Sequence, residues 1–142
     1  MTFRVLATAR SFCTTDGPHH EYLSANGCAV DLRPPDQPLS AAQLAALIPG
    51  YDGVILGLDV CDASVIAAAD RLRVISRYGA GYDKVDLEAA TARGIAVTTT
   101  PGANRIAVAE LAIGLIFSLA RRIPQVAANA RQGIWQRAQG WE

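Results

Sequence analysis

The sequence predicts an α/β fold: a doubly wound parallel sheet with helices on both faces, followed by a long helix. Three observations carry this expectation. Five short apolar runs alternate with helix-forming stretches, the pattern of strands joined by crossover helices. Runs such as Gly53-Val54-Ile55-Leu56 contain almost no polar residue, which suits strands covered on both faces. The segment 105–122 is apolar on every side of a helix, so it demands cover all round.

Taken in order, Phe3–Ala7 is the first strand. Asp16-Gly17-Pro18 is the first helix start, with Asp16 or Thr15 as cap and Pro18 in the first turn. Asn26-Gly27 stops that helix, and Cys28–Leu32 is the second strand. Pro34, Pro35 and Pro38 make an extended link. Ser40-Ala41-Ala42-Gln43 fits a capping box and opens a helix to about Ile48. Residues 53–56 form the third strand, Asp62 caps a helix over 63–69, and 72–76 is the fourth strand. Asp86 caps a helix over 87–93 that ends at Gly94, and 95–97 is the fifth strand. There is no internal repeat.

The chain then changes character. Residues 98–104 form a polar turn segment, and the helix 105–122 is broken before Pro124. It carries Ile106, Val108, Leu111, Ile113, Leu115, Ile116, Phe117 and Leu119, each worth about 1.5–3 kcal/mol on burial. Another domain or another subunit must cover them. Glu110, Arg121 and Arg122, and its length, rule the helix out as a membrane span. Residues 123–142 read as a mixed tail with Trp135, Trp141 and no strand, so the chain is expected to stop inside a second structural unit.

Composition narrows the function classes. The chain has 142 residues, 51% hydrophobic and 18% charged, enough apolar material for a core. Thirteen basic residues balance thirteen acidic ones, which gives no nucleic-acid or anionic-membrane surface. Cys13, Cys28 and Cys61 are far apart, without C-x-x-C, and there are only two histidines. No metal site is expected, the thiols are read as buried and structural, and a reducing cytoplasm is the natural compartment. The amino end shows no export-signal pattern. His19 and His20, at the start of the first helix, are expected to be exposed.

The stretch Arg77-Tyr78-Gly79-Ala80-Gly81-Tyr82-Asp83-Lys84-Val85-Asp86 organises the rest. Two glycines one residue apart, at the carboxyl end of a strand, permit a sharp turn with outward N–H groups. Such a nest suits a carboxylate or phosphate, and Arg77 adds a planar, two-pronged cation. It is not the dinucleotide fingerprint G-x-G-x-x-G, because the third glycine position holds Lys84.

The same stretch, continued through Leu87-Glu88-Ala89-Ala90, closely resembles a signature of the D-isomer-specific 2-hydroxyacid dehydrogenases, nearest the 3-phosphoglycerate dehydrogenase branch. Thr100-Pro101-Gly102-Ala103-Asn104 with Ala107-Val108-Ala109-Glu110-Leu111 resembles that family's crossing segment. Gly133-Ile134-Trp135 resembles the stretch before its nucleotide-binding fold. The resemblance is specific over 72–142 and rests on element order over 1–71.

It implies a flavodoxin-like substrate-binding domain over 1–99. Residues 100–142 would be the interdomain helix and the start of a truncated NAD-binding domain, and the helix 105–122 would build a homodimer. It also implies hydride transfer between a 2-hydroxy or 2-keto acid and NAD or NADP. Tyr78, Gly79, Ala80 and Gly81 would hold the substrate carboxylate, with Ala80 also near the nicotinamide. Arg77 would bind anionic groups, and Asn104 would contact substrate. The competing roles are a surface salt bridge for Arg77 and an N-cap for Asn104; Glu110 is read as a paired structural carboxylate. The family's arginine, glutamate and histidine for catalysis have no counterpart in this chain, so the chain alone is expected to be inactive. The branch's second arginine is replaced near Gly57, and Asp59 would repel a phosphate. The competing function is a stand-alone flavodoxin-like module that binds a small acid or dimerises without catalysis.

Overall fold

The computed structural model describes residues 2–135. The chain divides into two compact units, Met1–Pro101 and Gly102–Glu142.

The first unit is a five-stranded, wholly parallel sheet in the order β2-β1-β3-β4-β5. The strands are β1 (Phe3–Ala7), β2 (Cys28–Leu32), β3 (Gly53–Leu56), β4 (Val74–Arg77) and β5 (Ala96–Thr98). This order is the flavodoxin-like form of the doubly wound sheet. The intervening helices are α1 (Arg10–Thr14), α2 (Pro18–Ala25), α3 (Ala41–Leu47), α4 (Ala63–Ala68) and α5 (Leu87–Ala92).

Side chains alternate across the strands, so each face has its own core. On one face Leu6, Val54, Leu56 and Ile75 pack with Leu44, Ile48, Val65, Ile66 and Ala90, which belong to α3, α4, α5 and their caps. On the other, Ala7 and Ile55 pack with Phe12 of α1, and Cys13, Val5, Val30 and Leu23 of α2 lie against them. That second layer covers β1, β2 and β3. Val74, Ala96 and Thr98, on the same face of β4 and β5, stay exposed. Helices do flank both faces, but unequally.

Local signals place most of the helices. Ser40 and Gln43 form the full capping box. The Asp62 carboxylate accepts from the Ser64 and Val65 N–H groups, and Asp86 accepts from the Ala89 N–H at 2.9 Å. Gly27 and Gly94 take positive φ at the ends of α2 and α5.

Four expectations need correction. Neither Asp16 nor Thr15 caps α2; Gly17 does, with no side-chain bond. The short helix α1 precedes it, headed by Ala9 without a side-chain cap. β4 runs 74–77: it starts two residues later than 72–76, where Val74 first pairs with Gly53, and ends one residue later, because Arg77 still pairs with Leu56. β5 likewise starts one residue later, at Ala96.

The second unit holds α6 (Arg105–Ala120) and α7 (Ile123–Arg131). They are joined through Arg122 in the left-handed region at φ 50°. Pro124 therefore both ends α6 and opens α7, and the segment after 122 is more helical than its composition implies. Trp141 lies outside the described residues. The eight apolar side chains of α6 are each between 54% and 75% exposed, whereas the sequence demands that they be covered. Among the described residues, no helix is long and apolar enough to cross a membrane.

Candidate functional site

The glycine-rich stretch leaves the carboxyl end of β4, the edge where open α/β sheets bind ligands. Its entry is held by backbone bonds. The Tyr78 N–H donates to the Leu56 carbonyl at 2.9 Å and the Gly79 N–H to the Arg77 carbonyl at 2.8 Å. Gly79 sits at φ 152°, a backbone conformation that residues with a Cβ rarely adopt, so glycine suits that position. Arg77 is the last residue of β4, and its guanidinium folds over the loop to donate to the Tyr78 carbonyl. The Gly79 carbonyl accepts from the Thr100 N–H at 3.0 Å, tying the loop to the segment after β5.

The exit is equally fixed. The Cys61 N–H donates to the Lys84 carbonyl, and the Asp86 N–H to the Cys61 carbonyl, both at 2.9 Å. Lys84 Nζ reaches the Leu58 carbonyl at 3.0 Å. Between these anchors, the N–H groups of Ala80 and Gly81 take no partner among the described residues. Both residues are exposed or nearly so at the open side of the loop. The nest therefore offers two donors rather than four, since those of Tyr78 and Gly79 are spent on the fold.

Beneath this edge lies a buried carboxylate. Asp59 is 2% exposed. It accepts from the Thr8 hydroxyl at 2.6 Å, the Leu39 N–H at 2.8 Å and the Gly57 N–H at 3.2 Å. One side chain so gathers the ends of β1 and β3 and the approach to α3. Asp59, taken from the sequence only as a charge that would repel a phosphate, therefore also holds the fold together. Cys61 is also buried, and burial, with the nearby Asp62, Asp59 and Asp86 charges, pushes its thiol up to about 12. It stays protonated and is no nucleophile.

Four rings complete the edge. Phe12 of α1, 6% exposed, meets Tyr78 edge-on with centroids 6.1 Å apart. His19 and His20 of α2 lie 4.8 and 5.0 Å from the same Phe12 ring and 4.1 Å from each other. The histidines are half-buried in this cluster, not exposed as the sequence suggested, because Phe12 reaches them across the α1–α2 turn. Among the described residues there is no cluster of His, Cys, Asp and Glu that could hold a metal ion.

Comparison with known proteins decides the family. Residues 12–139 match the family described as D-isomer specific 2-hydroxyacid dehydrogenase, catalytic domain. The chain belongs to that family. It is 38% identical over 118 residues to the D-3-phosphoglycerate dehydrogenase of Archaeoglobus fulgidus, covering 82% of this chain and 22% of that protein. With the human D-3-phosphoglycerate dehydrogenase it shares 45% over 102 residues, 71% of this chain and 19% of the other. The chain thus spans about a fifth of the length of the curated relatives it matches. Among solved structures, a Thermus thermophilus protein superposes with a TM-score of 0.82 at 39% identity, over 96% of this chain and 42% of its own. The NAD+-bound 3-phosphoglycerate dehydrogenase of Entamoeba histolytica gives a TM-score of 0.75 at 26% identity, over 100% of this chain and 43% of its own.

In this family member the predicted loop residues Arg77, Tyr78, Gly79, Ala80 and Gly81 form one continuous feature of the first unit. Asn104 belongs to the second unit. It is the N-cap residue of α6, yet its side chain makes no cap bond. Thr8 and Phe12 were not singled out by sequence reasoning as parts of this edge, and Asp59 was noted only as a charge near Gly57. Only Asp59, polar amid apolar residues, carried a local signal.

Proposed function

We propose that this chain is the substrate-binding part of an NAD- or NADP-dependent D-2-hydroxyacid dehydrogenase of the phosphoglycerate dehydrogenase-like branch. The observation that carries the reading is the pair of unpartnered N–H groups at Ala80 and Gly81, beside the Arg77 guanidinium, in a member of this family. Two N–H donors and a cation match the two oxygens of one carboxylate. The roles follow from that geometry. Ala80 and Gly81 donate to the substrate carboxylate, Arg77 neutralises it, and Gly79 lets the backbone turn. Tyr78 walls the site. The reading of Asn104 as a contact to the 2-hydroxy or 2-keto acid rests on the resemblance of Thr100–Asn104 to the family's crossing segment, not on this geometry.

Nicotinamide, when bound, would accept or donate the hydride at C2 of the acid. Ala80 fits its neighbourhood, because a methyl-sized side chain on an exposed loop leaves room for a flat ring. The sequence holds no G-x-G-x-x-G for the pyrophosphate, so residues 100–142 are read as the interdomain helix and the start of the nucleotide-binding domain, and 1–99 as the substrate domain. Cys61 is locked as a thiol, and Asp59 already accepts three hydrogen bonds, so neither is suited to move the proton of the 2-hydroxyl. The family's catalytic arginine, glutamate and histidine have no counterpart among these 142 residues, so the chain by itself is read as inactive. The exposed apolar α6 is the homodimer surface. The free thiols of Cys13, Cys28 and Cys61 suit a reducing cytoplasm.

The test is a titration of nitrogen-15-labelled chain with pyruvate. Saturable shifts of the Ala80 and Gly81 amides, weakened about tenfold or more by Arg77→Ala, are the expected result. Shifts scattered elsewhere would overturn the site. Steady NADH oxidation by the chain with 2-keto acids would overturn its inactivity.

A further inference from the structure

We propose that Asp59 is a positioning residue for substrate binding: it fixes the segment from which both ends of the glycine loop hang, and so sets where the Ala80 and Gly81 N–H groups point. The inference rests on the reading of those two groups as the carboxylate's donors.

The segment is 56–61, which begins at the last residue of β3. At the loop's entry, the Leu56 carbonyl accepts from the Tyr78 N–H at 2.9 Å. At its exit, the Leu58 carbonyl accepts from Lys84 Nζ at 3.0 Å. The Cys61 N–H donates to the Lys84 carbonyl, and the Cys61 carbonyl accepts from the Asp86 N–H, both at 2.9 Å. A shift of this one segment therefore moves the two ends of the loop together. Ala80 and Gly81 are both exposed, so the loop takes its aim from these anchors rather than from packing around it.

Asp59 lies inside the segment, and its carboxylate reaches three ways. Oδ2 accepts from the Thr8 hydroxyl at 2.6 Å and the Gly57 N–H at 3.2 Å, and Oδ1 accepts from the Leu39 N–H at 2.8 Å. The Val60 N–H donates to the Leu39 carbonyl at 3.0 Å, so Leu39 is held at both its backbone groups. The Gly57 bond is the one that bears on the loop. The Gly57 N–H and the Leu56 carbonyl are the two ends of a single planar peptide group. The Asp59 carboxylate holds one end, and the Tyr78 N–H takes the other. Fixing that plane fixes the acceptor that Tyr78 follows into the loop. A carboxylate on the N–H end also strengthens the carbonyl as an acceptor. At 2% exposure Asp59 acts where water cannot replace its bonds.

The experiment compares the nitrogen-15-labelled 142-residue chain with its Asp59→Asn variant, by pyruvate titration and amide hydrogen exchange. A side-chain amide accepts at one oxygen only and cannot hold Leu39 and Gly57 together. Asp59→Asn is expected to weaken pyruvate binding at Ala80 and Gly81 about tenfold. It should also move the Tyr78 amide signal upfield and speed its exchange. Ile48→Ala, a buried core position outside the segment, is the control: it lowers the urea midpoint and leaves the pyruvate affinity within about twofold of the parent. Circular dichroism confirms that each variant is folded. Parent-like pyruvate binding by Asp59→Asn, an unmoved Tyr78 amide signal, or an equal loss of affinity in Ile48→Ala overturns the inference and leaves the carboxylate site standing. If Asp59→Asn does not fold, the parent decides: slow exchange at both the Gly57 and Tyr78 amides upholds the inference, and free exchange at either overturns it. If pyruvate does not bind the parent, the carboxylate reading falls and this inference with it.

Discussion

β3 and α6 are both rich in large apolar residues, and their fates are opposite. All four residues of β3 are buried between two helical layers. The sixteen residues of α6 include no buried side chain. Hydrophobicity alone therefore did not decide burial. β3 lies between β1 and β4 with helices over both its faces, whereas α6, among the described residues, keeps its large apolar side chains exposed. The contrast separates residues that hold the first unit together from apolar residues that the second unit leaves exposed.

The largest way to break that contrast is in the core. Leu6→Ala, in a fully buried position, is expected to cost about 2–5 kcal/mol, read as a fall in urea midpoint. Asp59→Ala comes next. It orphans the Thr8 hydroxyl and the Leu39 and Gly57 N–H groups, and the same measurement should lose about 2–3 kcal/mol. A loss below about 0.5 kcal/mol would show that Asp59 does not gather the edge. Leu115→Glu on α6 should leave the midpoint within about 0.5 kcal/mol of the parent, yet abolish self-association in sedimentation velocity. A parent chain that stays monomeric at every concentration would sink the homodimer.

Two smaller effects sharpen the picture. Asp52 accepts from the Arg4 N–H at 2.9 Å and pairs with Arg71 at 2.9 Å. The Arg4 backbone bond is the main cause that holds its carboxyl below the usual aspartate value, with Arg71 adding to it. A depressed value means that this stabilisation is present above about pH 4, the unfolded value, and fades as pH falls through the lower folded one. Asp52→Asn should flatten the acid limb of the stability profile below about pH 4. Cys61, with its thiol pushed up to about 12, should resist a thiol reagent near pH 8 in the folded chain and react on unfolding, with half-buried Cys28 labelled first.

How far the sequence could be read follows from the range of each interaction. The caps at Ser40, Asp62 and Asp86 act within three residues, and the structure bears them out. The strands were legible as apolar runs. Their ends were not, because pairing sets them: Arg77 is strand only because Leu56 lies opposite. α1 escaped notice because Ala9 offers no cap and its hold is Phe12, buried against β1 and β3. At the site, the loop was visible as one contiguous motif. What it shares with distant residues was not: the Leu56 carbonyl that uses the Tyr78 N–H, the Thr100 N–H on Gly79, and the rings that Phe12 brings together.

The strand order has a consequence for how the chain can be made. β1, the first of these five strands in chain order, lies inside the sheet; β2 pairs on one side of it and β3 on the other, then β4 joins β3 and β5 joins β4. Each new strand adds to an open edge of what already exists. No later strand has to wedge itself between strands that have already paired. Every partial sheet is a piece of the finished one, so the first unit can grow by accretion in the order of its synthesis, its edge loop closing when β5 delivers Thr100 to the Gly79 carbonyl.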